Sequence, residues 1–432
     1  MKRILSLFLV SCVLLSCNTN TSYYTYVNPF VGTGGHGHTF PGATLPFGMV
    51  QLSPDTRLDG WDGCGGYHYS DSVMYGFSHT HLSGTGVSDY GDVLLAPTVG
   101  PVNYHNGADG KPGYSSSFSH QNEAAHAGYY QVYLQDYGID VELTASKRVG
   151  FHKYTFPKSS QANIILDLEH RDEVLEAELQ LTSSNEVVGF RRSNAWATDQ
   201  YVYFVAQFSK KFKNARIAQN DVPNNLSKLN DTELKASFEF ETEAGEEIFV
   251  KVAISAVSVA SARKNLEAEI PHWAFAKTKK EAEQAWDTEL AKIEVDTDEE
   301  TKRIFYTALY HSCIAPNIFM DVDGAYRGTD LKTHKAKDFQ NYTVFSLWDT
   351  YRATHPLFTL IDQKRSNDFI NTFINQYEIG GQLPVWELAG TYTGCMIGYH
   401  SVPVIVDAFV KGIRDYDVEK AYKAMLHSAN QS

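Results

Sequence analysis

The chain has 432 residues, 43% of them apolar, with 37 basic against 51 acidic side chains; this composition excludes a disordered, collagen-like or disulfide-framework protein. A formal charge of −14 supplies no basic face for a polyphosphate and argues against nucleic acid as a partner. Length leaves room for two globular domains or three, and an aromatic share of 13% suits surfaces that stack on planar or sugar-ring faces.

Residues 1–17 read as a lipoprotein signal: Lys2 and Arg3, an apolar run over 4–15, then Leu14-Leu15-Ser16-Cys17. Cys17 would be acylated and become the first residue of the mature protein, because a small residue directly before Cys is what the processing chemistry needs. An ordinary cleaved secretory signal is the alternative. The apolar run is too short to stay as a membrane span. The expectation is an exported protein, in the periplasm or at the outer membrane, touching lipid only through Cys17, with 18–25 as a polar linker. Beyond the signal only Cys64, Cys313 and Cys395 remain. They are odd in number, far apart and without zinc spacing, so they read as buried small hydrophobes, or at most one pair plus one.

From 26 to about 110 the chain is rich in Gly, His, Ser and Thr, as in extended segments joined by constrained loops. Strand-like runs follow at 130–134, 139–144, 149–156, 162–168, 186–192, 201–208, 234–240 and 247–255; Val202, Phe204, Ala206 and Phe208 alternate onto one face. With no helical crossovers between them, they predict an antiparallel β-sandwich over 26–260. The composition then shifts to Ala and paired Lys/Glu over 261–292, and Ile304, Phe305, Ala308 and Leu309 recur at helical spacing within 299–312. Further helices are predicted at 350–361, 365–378, 402–413 and 418–429. Residues 261–298 read as linker helices and 299–432 as the first part of an (α/α)6 barrel, incomplete because a closed toroid needs about twice as many helices. No GxGxxG in strand-to-helix context, Walker A loop or G-x-S-x-G elbow occurs, which disfavours nucleotide and serine-hydrolase chemistry.

Four constellations could carry chemistry. Residues 28–43 crowd glycines around His36 and His38; this is a sharply turning backbone that could hold a metal weakly, shape a ligand or domain interface, or be a plain turn. Trp61 stands among glycines in 59–69, followed by the His- and Gly-rich segment 77–86. Such an indole can lie flat on a sugar ring whose hydroxyls suit Asp and His, or it can plug the core. Residues 321–330 begin like a calcium loop, but Lys332 stands where a glutamate is required, so a turn bringing Arg327 toward a carboxylate is the simpler reading. Finally, Trp348-Asp349 and Trp386-Glu387 each place an acid directly after a Trp, at what reads as a loop-to-helix junction. A glycosidase needs such pairs: the carboxylate for proton transfer or hydroxyl binding, the indole to seat the ring and exclude water. The alternatives are a helix N-cap for Asp349 and a buried ion pair for Glu387, with Arg352 as its partner.

Residues 28–43, 61–69, 77–86, 345–352 and 387–400, taken together and in this order, resemble glycoside hydrolase family 92, the exo-acting α-mannosidases common in gut Bacteroidetes. The resemblance runs from about residue 26 to the end. It implies a β-sandwich packed on an (α/α)6 barrel, with the active site at their junction, and an inverting hydrolysis in which calcium holds the mannose 2- and 3-hydroxyls. Trp61 and Asp349 are thereby implied as contacts to the terminal mannose, with Trp348, Arg352 and Glu387 as neighbours of that site. Family members continue past the position of Ser432 through segments that supply general acid, base and most calcium ligands. The expectation is therefore a truncated α-mannosidase, of α-1,2 type, acting on N-glycans or mannan, with no metal site of its own, weak or no catalysis in isolation, and Glu387 as its one candidate acid. A non-catalytic carbohydrate-binding lipoprotein and a disaccharide phosphorylase are the rival readings.

Overall fold

The computed structural model describes residues 22–430; the signal segment and Cys17 lie outside the described residues. The first half is built of two large antiparallel sheets. One has eight strands in the order Ala43–Thr44, Gln51–Asp55, Gly76–Ser78, Leu94–Val99, Ser159–Asp167, Leu234–Thr242, Asn214–Gln219 and Val222–Asn224. The other has nine, ordered Lys228–Asp231, Glu173–Ser183, Glu186–Asn194, Gln200–Phe208, Glu246–Ser255, Val149–Phe156, Ile139–Ala145, Tyr129–Leu134 and Glu123–His126. Alternation decides which face is buried: Ile139, Val141 and Leu143 point inward while Asp140 is exposed. Ile164, Leu166, Phe238 and Phe240 of the first sheet and Phe204, Phe208, Val250 and Val252 of the second belong to one fully buried core.

The predicted sandwich is present, and all eight predicted runs are strands. The strand Glu173–Ser183 was not predicted, because its Glu, Leu and Ala residues favour helix in isolation. Pairing with Glu186–Asn194 across a short turn overrides that preference.

Eight helices follow among the described residues: α1 Val259–Glu269, α2 Phe275–Leu290, α3 Glu299–Ser312, α4 Leu347–Thr350, α5 Thr354–Ile361, α6 Gln363–Gly380, α7 Ser401–Val410 and α8 Val418–Asn430. None is long and apolar enough to cross a membrane. The linker helices expected over 261–298 are α1 and α2, separated at Pro271. Helix α1 lays Ala262 and Leu266 on Phe151, Val205 and Ala253 of the second sheet. Its N-terminus is capped by Ser258, whose Oγ accepts the Ser261 N–H at 3.1 Å. Ser258→Ala should cost about 1 kcal/mol, read as a lower urea midpoint with an unchanged slope.

Helix α2 is pinned to the sandwich by Trp286, fully buried, whose indole N–H donates to the Thr44 carbonyl at 2.7 Å. A second clamp comes from the segment that read as a failed calcium loop. Asp321 accepts from the Ser255 hydroxyl at 2.8 Å and the Asn265 amide at 2.7 Å, and Asp323 pairs with Lys264 at 2.7 Å. The expectation that Arg327 turns toward a carboxylate is not met. The hairpin of Ala325–Arg327 and Thr333–Lys335 presents it to the end of the sandwich, where its Nε donates to the Ala256 carbonyl at 2.8 Å. Its guanidinium also lies 4.0 Å from the Tyr201 ring centroid. All three cysteines are unpaired; Cys64 and Cys313 are buried, but Cys395 is half-exposed, so the buried-hydrophobe reading fails for that one.

Candidate active site

Three glycine-rich segments, distant in sequence, converge on one indole. Gly60, at φ +78°, takes a backbone conformation that side chains avoid, and it turns the chain into the single 3₁₀ turn Trp61–Gly63. Trp61 emerges 60% exposed, which removes the core-plug reading. One edge meets the His38 imidazole, with centroids 4.6 Å apart and planes at 79°. Beneath it lies Gly86, where any Cβ would overlap the indole ring. The Gly84 N–H donates to the His38 carbonyl at 2.8 Å, tying the third and first segments together. His36 Nδ1 stands 2.5 Å from Asp62 Oδ1, and that imidazole holds the Asp62 carboxyl below its ordinary range. The two histidines thus shape the turn that carries Trp61.

The seam between the two halves runs beside this platform. Leu82, Tyr90 and Ala197 of the sandwich form one buried cluster with Val344, Trp386, Leu388 and Ala389, and Val87, next to Gly86, packs on it. The rings of Trp196 and Trp386 are 4.6 Å apart. Across the seam the strand Trp386–Leu388 pairs with Phe345–Ser346, Phe345 opposite Glu387 and Ser346 opposite Trp386, and α4 starts at the next residue. The two Trp-acid motifs are therefore neighbours, although 38 positions separate them in sequence.

Their acids differ sharply. Asp349 is exposed, lies in the first turn of α4 and accepts the Ser346 hydroxyl at 2.6 Å. The N-cap is Ser346 and not Asp349. Trp348 is 40% exposed, and Arg352 projects into solvent with its guanidinium 5.4 Å from the Tyr351 ring. That ring in turn stacks on His400 at 4.6 Å. Glu387 is sealed, 1% exposed, and it sits on a strand, not at a loop-to-helix junction. It makes no ion pair with Arg352. Its Oε1 accepts from the Thr343 hydroxyl and the Gly390 N–H, both at 2.8 Å, while Oε2 has no hydrogen-bond partner. Burial pushes its pKa up to about 7, and the hydrogen bonds from Gly390 and Thr343 oppose that rise without cancelling it. The sequence concealed this environment because Thr343 and Tyr90, which enclose the carboxyl, belong to no motif.

The two halves thus contribute an open indole face, the exposed Asp349 and Arg352, and a buried carboxyl that is only partly ionised at neutral pH. Among the described residues no group of three or more His, Cys, Asp or Glu side chains is placed to hold a metal ion. The calcium implied by the resemblance has no ligand set among them.

Comparison with known proteins gives the architecture a family. Residues 26–255 match the glycosyl hydrolase family 92 N-terminal domain and residues 261–432 its catalytic domain. A family GH92 α-mannosidase of Bacteroides thetaiotaomicron, solved in complex with mannoimidazole, is 41% identical with a TM-score of 0.93, over 95% of this chain and 56% of that one. A GH92 inverting mannosidase of the same organism is 30% identical with a TM-score of 0.85, over 94% of this chain and 55% of that one. A protein of Arthroderma benhamiae described as an uncharacterized secreted glycosidase is 26% identical over 94% of this chain and 52% of its own length. The chain thus spans about half the length of these relatives. With both of its halves matched in order and the junction between them intact, the chain belongs to glycosyl hydrolase family 92.

Proposed function

We propose that the protein is an exported, lipid-anchored α-mannosidase that removes terminal mannose from N-glycans or mannan, exo-acting, inverting and of α-1,2 type. The observation that carries this reading is the open face of Trp61, held by three glycine-rich loops at the seam, in a chain 41% identical to an α-mannosidase solved with mannoimidazole. In this reading the indole seats the apolar face of the sugar. Asp349 accepts from its hydroxyls, Arg352 donates to them, and Trp348 narrows the pocket. Glu387 supports the wall behind them from its buried position. Inversion needs two carboxyl groups roughly 6.5–9.5 Å apart with water between them. Sealed from solvent, Glu387 cannot activate that water, so the residues described here act as the binding half of the site.

Calorimetry on residues 18–432 with mannoimidazole, mannose and glucose, beside a mannose-release assay on α-1,2-mannobiose, tests the proposal. Binding of the mannose-configured ligands and not of glucose is the expected result, with little or no release by this chain alone. Equal binding of glucose, or no sugar binding, would overturn it. Release only in the presence of phosphate would point to a phosphorylase.

A further inference from the structure

Three consecutive residues outside every sequence motif touch the platform from behind. His170, Arg171 and Asp172 form the turn between Ser159–Asp167 and Glu173–Ser183, and each reaches a different loop. His170 Nε2 lies 3.3 Å from Asp55 Oδ1. Asp55 is buried, takes the Ser78 hydroxyl at 2.6 Å and has His81 Nε2 at 3.2 Å, and it abuts Gly66, at the end of the Trp61 loop, where no Cβ fits. Arg171 Nη2 donates to the carbonyl of Gly63, inside the turn that bears Trp61, at 3.1 Å. Its Cδ would be 2.7 Å from any Cβ added at Gly91. Asp172 Oδ2 accepts the Tyr90 N–H at the seam at 2.9 Å.

We infer that His170, Arg171 and Asp172 are positioning residues for the sugar platform: one rigid turn fixes Asp55, Gly63 and Tyr90 relative to one another and thereby sets the pose of Trp61. The inference rests on the reading that Trp61 seats the sugar. Stability alone does not account for this turn. Asp172 holds a left-handed φ of +57° without being glycine, a conformation that costs about 1 kcal/mol or more. Nδ1 of His170 and Nε of Arg171 are buried without hydrogen-bond partners, another cost that an apolar filling would avoid. Strain and unsatisfied groups gathered behind one exposed side chain are what a placed site tolerates and a core does not.

The test compares Arg171→Ala, Arg171→Lys, Asp172→Asn and Trp61→Ala in the whole chain, with Leu266→Ala in α1 as a destabilised control remote from the platform. Mannoimidazole affinity is measured by calorimetry, acrylamide quenching of tryptophan fluorescence reports the indole's exposure, and thermal melts report stability. Arg171→Ala should weaken mannoimidazole by about tenfold or more and alter the quenching of the exposed indole. Leu266→Ala, at a similar loss of melting temperature, should leave both unchanged. Arg171→Lys should recover part of the affinity, since an ammonium can still reach the Gly63 carbonyl, and Asp172→Asn should fall between wild type and Arg171→Ala. If Trp61→Ala abolishes binding while Arg171→Ala stays within twofold of wild type, or loses no more than the control does, the positioning role is wrong. If Trp61→Ala itself leaves affinity unchanged, the platform reading fails first.

Discussion

Glu387→Gln should stabilise the protein against wild type by about 3 kcal/mol at pH 8 and by only about 1 kcal/mol at pH 5. In the folded chain Glu387 has a pKa raised to about 7 against an ordinary 4.5. Between those values the folded state binds more protons than the unfolded state, so wild-type stability attributable to this group falls as pH rises through that window and is fully lost above it. A shift of about 2.5 units corresponds to about 3 kcal/mol. Glutamine keeps an acceptor for Thr343 and Gly390 and never ionises. Other groups, such as His79 and His355, both lowered to about 4 by burial, titrate in both proteins and cancel in the difference. Urea unfolding of the two proteins at pH 5, 6, 7 and 8 measures it. A difference that does not grow with pH would mean that the carboxyl is not buried as described. Retention of a group that destabilises the fold at neutral pH is the pattern of a site residue, not of a core residue.

Trp61→Ala should abolish measurable mannoimidazole binding, weakening it roughly 100-fold, the loss of about 2–3 kcal/mol that an aromatic anchor carries. Stability should stay within about 0.5 kcal/mol, because the side chain is 60% exposed. Trp286→Ala is the mirror image. That indole is fully buried and donates to Thr44, so its loss should cost about 3–5 kcal/mol while ligand affinity of the surviving folded fraction is kept. Gly86→Ala should behave like Trp61→Ala, since the added methyl would occupy the indole's place. Melting curves and calorimetry on the same preparations separate these outcomes. A Trp61→Ala protein that binds as tightly as wild type would remove the indole from the site.

Much of the fold was legible because period and burial agree along the chain. Helix α3 matches the 299–312 prediction at both ends, where Asp298 caps it and Ile304, Phe305, Ala308 and Leu309 repeat at helical spacing. Glu173–Ser183 was illegible, since its helix-favouring side chains become a strand only through a neighbour. Within the site, Trp61 announced itself by its flanking glycines. Arg171 carried no such signal, because a buried arginine that holds a distant carbonyl looks like any other arginine in sequence.

Sequence by itself determined the family, the two-part order of sandwich and helices, and the motifs that contain Trp61, Asp349 and Glu387, because these depend on residue type and local spacing. Tertiary structure alone decided that Trp61 is open while Glu387 is sealed, that the strand leading into Trp348-Asp349 pairs with Trp386-Glu387, and that Arg327 serves the seam. Solvent access and charge state depend on what the rest of the chain packs around a side chain, and the groups that enclose Glu387 come from Thr343 and Tyr90, far from it along the chain.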